Sequence, residues 1–124
     1  MNFRTEQRDK YTVVSLLVEK LDGTISPSLK SEFVMVNAGG VRNIIFDLSK
    51  TRYCDSSGLS AILVGNRLCK NSGGTFILCG AQDSVKKLIT ISQLDSILKI
   101  TPTVSEAHDL MVIEEVERDI NKEI

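Results

Sequence analysis

The sequence predicts an α/β fold, with one domain built on a small, mostly parallel sheet. Two successive units of a helix, a Gly-Gly pair and a strand support this prediction, since helical patterns end at Gly39-Gly40 and Gly73-Gly74 and an apolar run follows each pair. Alternating strands and helices favour parallel neighbours, because each parallel pair needs a crossover connection. The 124 residues suffice for one domain with its own core.

Two strands are predicted before the first helix. Residues 3–7 are expected to form an edge strand that turns at Arg8-Asp9-Lys10 into a second strand over residues 11–18. The second strand has apolar residues at most positions, which is typical of a strand buried on both faces. The first strand is therefore predicted to be an antiparallel edge of the sheet.

The first helix is predicted to begin at Ser26-Pro27, with Ser26 as its N-cap. Leu29, Phe33 and Val36 form its buried stripe. The later elements are a strand over 41–48, a helix over about 57–70, a strand over 75–79, a helix over about 82–92, a strand near 97–100 and a last helix with a capping box of Thr103 and Glu106. The sheet thus has four to five strands and the domain about four helices over residues 1–117, and a polar tail over 118–124 is expected to fray.

The most informative segment is Cys54-Asp55-Ser56-Ser57-Gly58-Leu59, between an apolar strand pattern and a helical pattern. It places hydroxyl groups at the start of a helix, where backbone N–H groups lack intrahelical partners and the macrodipole is positive. Such a position suits a capping oxygen or a phosphate. From the residues alone, helix capping and regulatory phosphorylation both stay open.

Composition disfavours several classes of function. The 15 basic and 16 acidic residues nearly cancel, which disfavours a nucleic-acid partner. No apolar stretch approaches the roughly 20 residues that a membrane-spanning helix needs, and residues 1–10 lack a signal-peptide core, so no direct membrane insertion is expected. Cys54, Cys69 and Cys79 form no Cys-x-x-Cys pair, which favours structural thiols in a reducing compartment and a cytoplasmic protein.

Motifs for catalysis are missing as well. The sequence has no Gly-x-Ser-x-Gly elbow, and its single histidine, His108, falls in a late helix, which disfavours a Ser-His-Asp triad. The Gly pairs lack the Lys-Ser or Lys-Thr of a P-loop, and no zinc-ligand spacing occurs, so no cofactor is expected. The sequence therefore predicts a substrate of a kinase rather than an enzyme.

With these residues in view, the chain resembles the STAS domain, and most closely the stand-alone anti-sigma factor antagonists of bacteria. The resemblance covers nearly the whole chain. It rests on Ile45-Phe46-Asp47-Leu48-Ser49 leading into Asp55-Ser56-Ser57-Gly58-Leu59, on Gly73-Gly74 before a strand, and on Val85-Lys86-Lys87-Leu88 followed by Ser92-x-Leu94.

The resemblance implies regulation by partner switching. In this family an unphosphorylated antagonist binds an anti-sigma factor serine kinase and thereby frees a sigma factor. The kinase uses its own ATP and Mg to phosphorylate the serine directly after the aspartate, and a phosphatase resets that serine. By motif, the phosphorylated residue is Ser56. The partner-contact residues that the resemblance implies are Asp22, Asp55, Ser57, Gly58 and Leu59.

The chain also departs from the family pattern, and these departures bear on the identity of the partner more than on the fold. They lie at Glu19-Lys20, Cys54, Ser60 and Gln93. The alternative hypothesis is a scaffold subunit that is not phosphorylated, in a sensory complex or in a lipid or anion transport assembly. A second apolar strip on the helix after Ser56 faces either a partner or another helix. This strip consists of Ala61, Val64 and Leu68.

Overall fold

A five-stranded sheet forms the centre of the domain in the computed structural model, which describes residues 2–123. The strands are β1 (Phe3–Gln7), β2 (Thr12–Leu16), β3 (Lys20–Leu21), β4 (Ile44–Asp47), β5 (Tyr53–Cys54), β6 (Phe76–Cys79) and β7 (Lys99–Thr101). The main sheet has the order β1-β2-β4-β6-β7, and only its β1–β2 pair is antiparallel. The predicted fold, including the antiparallel edge strand, is confirmed. β3 and β5 pair with each other in a separate parallel ribbon.

Four helices cover the two faces of this sheet. They are α1 (Ser26–Ala38), α2 (Ser56–Asn71), α3 (Asp83–Ile91) and α4 (Val104–Glu123). Successive side chains of a strand point to opposite faces, so Phe46 packs with α1, α2 and α3, whereas Ile45 packs with α4. Within residues 2–123, none of the helices combines the length and apolar character that crossing a membrane requires.

The start of α1 differs from the prediction, because Ser26 is its first helical residue and the N-cap is Ile25. The side chain of Ile25 cannot accept a hydrogen bond, and the carbonyl oxygen of Asp22 takes its place. That oxygen accepts from the N–H groups of Ile25 and Ser26 and, at 2.8 Å, from the buried hydroxyl of Ser26. The N-terminus of α1 is therefore held by a backbone turn at Asp22 rather than by a side-chain N-cap.

The end of the chain differs too, since α4 continues to Glu123 and residues 118–123 are helical rather than a separate tail. Arg118 gives the physical reason. Its guanidinium pairs with Glu115 and donates to Oγ1 of Thr75 at 2.5 Å, which attaches this part of α4 to the start of β6. At its other end α4 opens as predicted, because Oγ1 of Thr103 accepts from the N–H of Glu106 at 3.1 Å.

The second apolar strip of α2 is mostly covered by another helix. Ala61 is fully buried and Leu68 packs against the core, because α1 lies along α2. Gly65 permits this close approach, since a Cβ there would lie 2.5 Å from the ring of Phe76 and 3.1 Å from that of Phe33. The strip therefore belongs mostly to the interior, and Val64 and Leu68 are half-buried.

Candidate functional site

Asp55 caps the helix that carries the candidate site. Its Oδ1 accepts a hydrogen bond from the N–H of Gly58 at 3.0 Å, while its own backbone is extended. An N-cap with this geometry satisfies one of the N–H groups that the first helical turn leaves free. The capping predicted for this junction is thus confirmed, and α2 begins at Ser56, one residue earlier than predicted.

Ser56 is the first residue of α2, and its side chain is exposed, whereas Ser57 is half-buried. Because Asp55 caps the helix, the hydroxyl of Ser56 is not needed for that purpose. An exposed hydroxyl at this position is accessible to a modifying enzyme. A phosphate there would also lie where the helix macrodipole favours negative charge.

The β3–β5 ribbon, which the sequence pattern does not predict, holds this junction in place. Leu21 pairs with Cys54, and the N–H of Asp55 donates to the carbonyl oxygen of Leu21 at 3.2 Å. Two-residue strands are too short to show periodicity, so the pattern could not reveal them. The only local signal was a single apolar residue, Leu21 or Cys54, directly before an aspartate in each segment.

Gly58 lies against the ribbon with no room for a side chain. A Cβ at this position would lie 2.5 Å from the carbonyl oxygen of Leu21 and 2.6 Å from Sγ of Cys54. Leu59, the next residue, is also buried. The predicted partner contact of Gly58 and Leu59 is therefore not supported, because the structure places both residues in the packing beneath the site.

Asp22 lies in the loop between β3 and α1, which reaches the start of α2. Its Oδ1 accepts from Oγ1 of Thr24 at 2.6 Å and from the N–H of Thr24 at 3.0 Å. These hydrogen bonds lower the pKa of the Asp22 carboxyl, so it is ionised at neutral pH. A Cβ on Gly23 would lie 3.7 Å from Oγ of Ser57, so the loop and the first turn of α2 adjoin.

A cavity of about 310 Å³ joins the starts of α1 and α2. It is lined by Gly23, Ser26, Pro27, Lys30, Ser56, Ser57 and Ser60. Lys30, which no sequence motif marks as a site residue, contributes a positive charge beside the serines. Its place follows from the packing of α1 on α2, which a single sequence does not show.

The three cysteine thiols are unreactive because they are buried, and the single histidine lies far from this site. Burial, together with the charge of Asp55, raises the pKa of the Cys54 thiol to about 12, and burial raises the pKa of Cys69 and Cys79 to about 12 as well. All three thiols are protonated at neutral pH, as expected of structural cysteines. His108 lies on α4, across the sheet from Ser56, with its Nδ1 2.6 Å from the hydroxyl of Tyr11.

Comparison with known proteins gives the family. The STAS domain model matches residues 2–107, so this chain belongs to the STAS domain family. A Thermotoga maritima protein provisionally assigned as an anti-sigma factor antagonist is 34% identical over 79 residues. That match covers 64% of this chain and 66% of the relative, slightly under two thirds of its length.

Solved structures agree with this assignment. The crystal structure of a Thermotoga maritima protein, with the same provisional assignment as an anti-sigma factor antagonist, has a TM-score of 0.78 and 29% identity, over 88% of this chain and 93% of that one. The phosphorylated form of SpoIIAA, a Bacillus cell fate determinant, has a TM-score of 0.68 and 24% identity, over 86% of this chain and 96% of that one. The second likeness shows the fold alone.

Proposed function

We propose that this protein is an anti-sigma factor antagonist that acts by partner switching, with Ser56 as the switch. It binds an anti-sigma factor serine kinase while Ser56 carries a free hydroxyl, and phosphorylation of Ser56 releases it. The observation that carries the proposal is the exposed hydroxyl of Ser56 at the start of α2, next to a separate capping residue. The similarity to the provisionally assigned Thermotoga maritima antagonist supports it.

The physical basis of the switch is a change of charge at one point of a binding surface. Phosphorylation adds about −1.5 to −2 charges. The start of α2 tolerates this charge, because the macrodipole and the nearby Lys30 oppose the repulsion from Asp55. A phosphate that enters a complementary interface instead meets desolvation and like-charge penalties, which weaken binding by orders of magnitude. The fold is therefore retained while the complex is lost.

The contact surface in this proposal consists of Ser56, Ser57, Asp55 and Asp22. Asp22 lies in the loop between β3 and α1, and the other three residues form the N-cap and first turn of α2, which that loop adjoins. The partner kinase supplies ATP and Mg and carries out the phosphoryl transfer, and a phosphatase resets Ser56. The exchange takes place in the cytoplasm, in line with three unpaired, buried cysteines.

The test is phosphorylation of the whole chain by its anti-sigma factor serine kinase with Mg-ATP. Mass spectrometry should find one phosphate, on Ser56. The Ser105→Ala variant is the matched control, because Ser105 is an exposed serine in the first turn of α4, outside this contact surface, and it should be phosphorylated to the same extent. Calorimetry should show that the Ser56→Glu variant binds the kinase at least about 100-fold more weakly than the unphosphorylated chain, which corresponds to about 2.7 kcal/mol.

Two results together would contradict the switch: normal phosphorylation of the Ser56→Ala variant, and undiminished binding of the Ser56→Glu variant. The alternative hypothesis, a scaffold subunit of a sensory or transport assembly, predicts that no phosphate is added. It also predicts that a pull-down recovers subunits of that assembly rather than a kinase.

A further inference from the structure

A groove beside the candidate site is lined by apolar and basic side chains. Its volume is about 250 Å³, and it lies between β5 and α3. The lining includes Arg52, Tyr53, Cys54, Lys87, Leu88 and Ile91. Tyr53 is 51% exposed and Ile91 is 72% exposed, although both are large and apolar. Adjacent exposed apolar side chains with a charged rim are typical of an interaction surface.

Hydrogen bonds fix both walls of this groove. The hydroxyl of Ser84, at the start of α3, donates to the carbonyl oxygen of Arg52 at 2.5 Å. The N–H groups of Arg52 and Tyr53 donate to the carbonyl oxygen of Glu19 at 2.8 and 3.0 Å. A groove whose walls are already tied together needs little ordering when a ligand binds, and this favours affinity.

The charge of the groove points to an acidic ligand. Arg52 and Lys87 are its charged lining residues, and the lining contains no acid. Arg52 is only weakly engaged, because its Nε lies 3.8 Å from Oε1 of Glu19 and both side chains are more than 70% exposed. Two cations on a chain of net charge −1 are too few for a membrane surface or a nucleic acid, where each contributes only about 1 kcal/mol.

We propose that this groove binds an acidic, amphipathic segment of the protein that docks at Ser56. Apolar side chains of the segment cover Tyr53 and Ile91, while its carboxylates pair with Arg52 and Lys87. This inference rests on the proposed function, since Cys54 lines the groove and directly precedes the Asp55 cap. The groove thereby extends the switch surface and determines which partners fit, whereas Ser56 determines when they bind.

The test uses the whole ¹⁵N-labelled chain and two synthetic helical peptides, which share a leucine face and carry either glutamates or lysines on the opposite face. The glutamate peptide should give saturable NMR shifts at Tyr53, Leu88 and Ile91, and the lysine peptide should bind at least tenfold more weakly. Replacement of both cations, Arg52→Glu with Lys87→Glu, should reverse this preference. Lys86→Glu, which makes the same charge change on α3 outside the lining, should leave it unchanged.

Equal binding of the two peptides would overturn the groove proposal, and so would an effect of Lys86→Glu as large as that of the double replacement of Arg52 and Lys87. The same shifts with anionic phospholipid vesicles would assign the groove to a membrane instead. The Ser56→Ala variant distinguishes the groove proposal from the switch proposal, because it should bind the glutamate peptide as tightly as the unmodified chain does. If the chain binds the peptide but the kinase does not phosphorylate it, only the proposed switch at Ser56 is wrong. If the kinase phosphorylates the chain but the peptide does not bind, only the groove proposal is wrong.

Discussion

Two polar clusters lie on opposite sides of the sheet, and they differ in how their hydrogen bonds are used. The junction cluster consists of Lys30, Ser56, Ser57 and Ser60, around the cavity at the start of α2. The α4 cluster consists of Arg42, Asn43, Thr75, Glu115 and Arg118, beneath the last helix. The first contains an exposed hydroxyl, whereas the second is built around Glu115, a residue that is only 7% exposed.

The α4 cluster is closed. Glu115 accepts from Asn43, from Arg118 and, at 3.0 Å, from Arg42, while Oδ1 of Asn43 accepts from the N–H of Thr75 at 2.9 Å. A buried network in which every group has a partner fixes the elements it joins. Polarity alone therefore does not mark a site, because a satisfied cluster stabilises the fold and an open cluster is available for chemistry.

The largest expected effect comes from breaking the closed cluster. Replacing Glu115 by Ala leaves Arg42, Asn43 and Arg118 without their common acceptor, and this should lower the free energy of unfolding by about 3 kcal/mol. Urea unfolding measures the change. Glu117→Ala removes an exposed carboxylate from the same helix and should change stability by less than about 0.5 kcal/mol. Equal losses would show that the cluster contributes nothing specific.

The same carboxylate should make stability depend on pH. Burial opposes its ionisation, but hydrogen bonds from Asn43 and Arg42 and the charges of Arg42 and Arg118 hold the pKa of Glu115 below its usual value of 4.5. A pKa that is lower in the folded state gives stability that is present above about pH 4.5 and is lost as the pH falls through the folded pKa. The stability difference between wild type and Glu115→Gln should therefore shrink between pH 7 and pH 3, and a constant difference would contradict this.

The next largest effect is expected beneath the open cluster, at Gly58. An alanine there brings its Cβ to 2.5 Å from the carbonyl oxygen of Leu21, so the ribbon or α2 must shift at about 1–3 kcal/mol. Gly39→Ala is the matched control, because its Cβ would meet nothing closer than 3.5 Å. Thermal unfolding of the two variants gives the comparison, and similar midpoints would show that the ribbon yields easily.

The contrast between the clusters also explains what the sequence could predict. Helix and strand periodicity, together with the Gly-Gly pairs, was enough to predict a mostly parallel sheet with an antiparallel first strand. The Asp-Ser-Ser-Gly segment was enough to place Asp55 and Ser56 at a helix start. Both signals are local, because each depends on residues that are close together in the chain.

Features that depend on distant parts of the chain could not be predicted. The ribbon joins Leu21 to Cys54, Lys30 reaches the serines only because α1 packs on α2, and Arg118 extends α4 through a contact with Thr75. At Ser26 the local signal itself was misleading, because Ser-Pro favours an N-cap and the backbone of Asp22 supplied the acceptor instead. Tertiary contacts of this kind override local preference.

A smaller effect is expected at the cap of α2. Asp55→Ala removes the acceptor for the N–H of Gly58 and should cost about 1 kcal/mol of unfolding free energy. Asp55→Asn keeps an oxygen in the same place and should recover most of that loss. Urea unfolding of both variants measures this, and the assignment of Asp55 as the cap would fail if neither substitution changed the midpoint.

The smallest effect on stability should come from Ser56 itself, and a second serine at a helix start makes this a sharp comparison. Ser26 is 2% exposed and donates to Asp22, so Ser26→Ala should cost about 1 kcal/mol. Ser56 is exposed and does not cap α2, so Ser56→Ala should change stability by less than about 0.5 kcal/mol while abolishing phosphorylation. Urea unfolding and mass spectrometry on the same two variants test both halves. If Ser56→Ala lost as much stability as Ser26→Ala, the hydroxyl of Ser56 would also stabilise the fold, and the proposed difference between the two serines would be wrong.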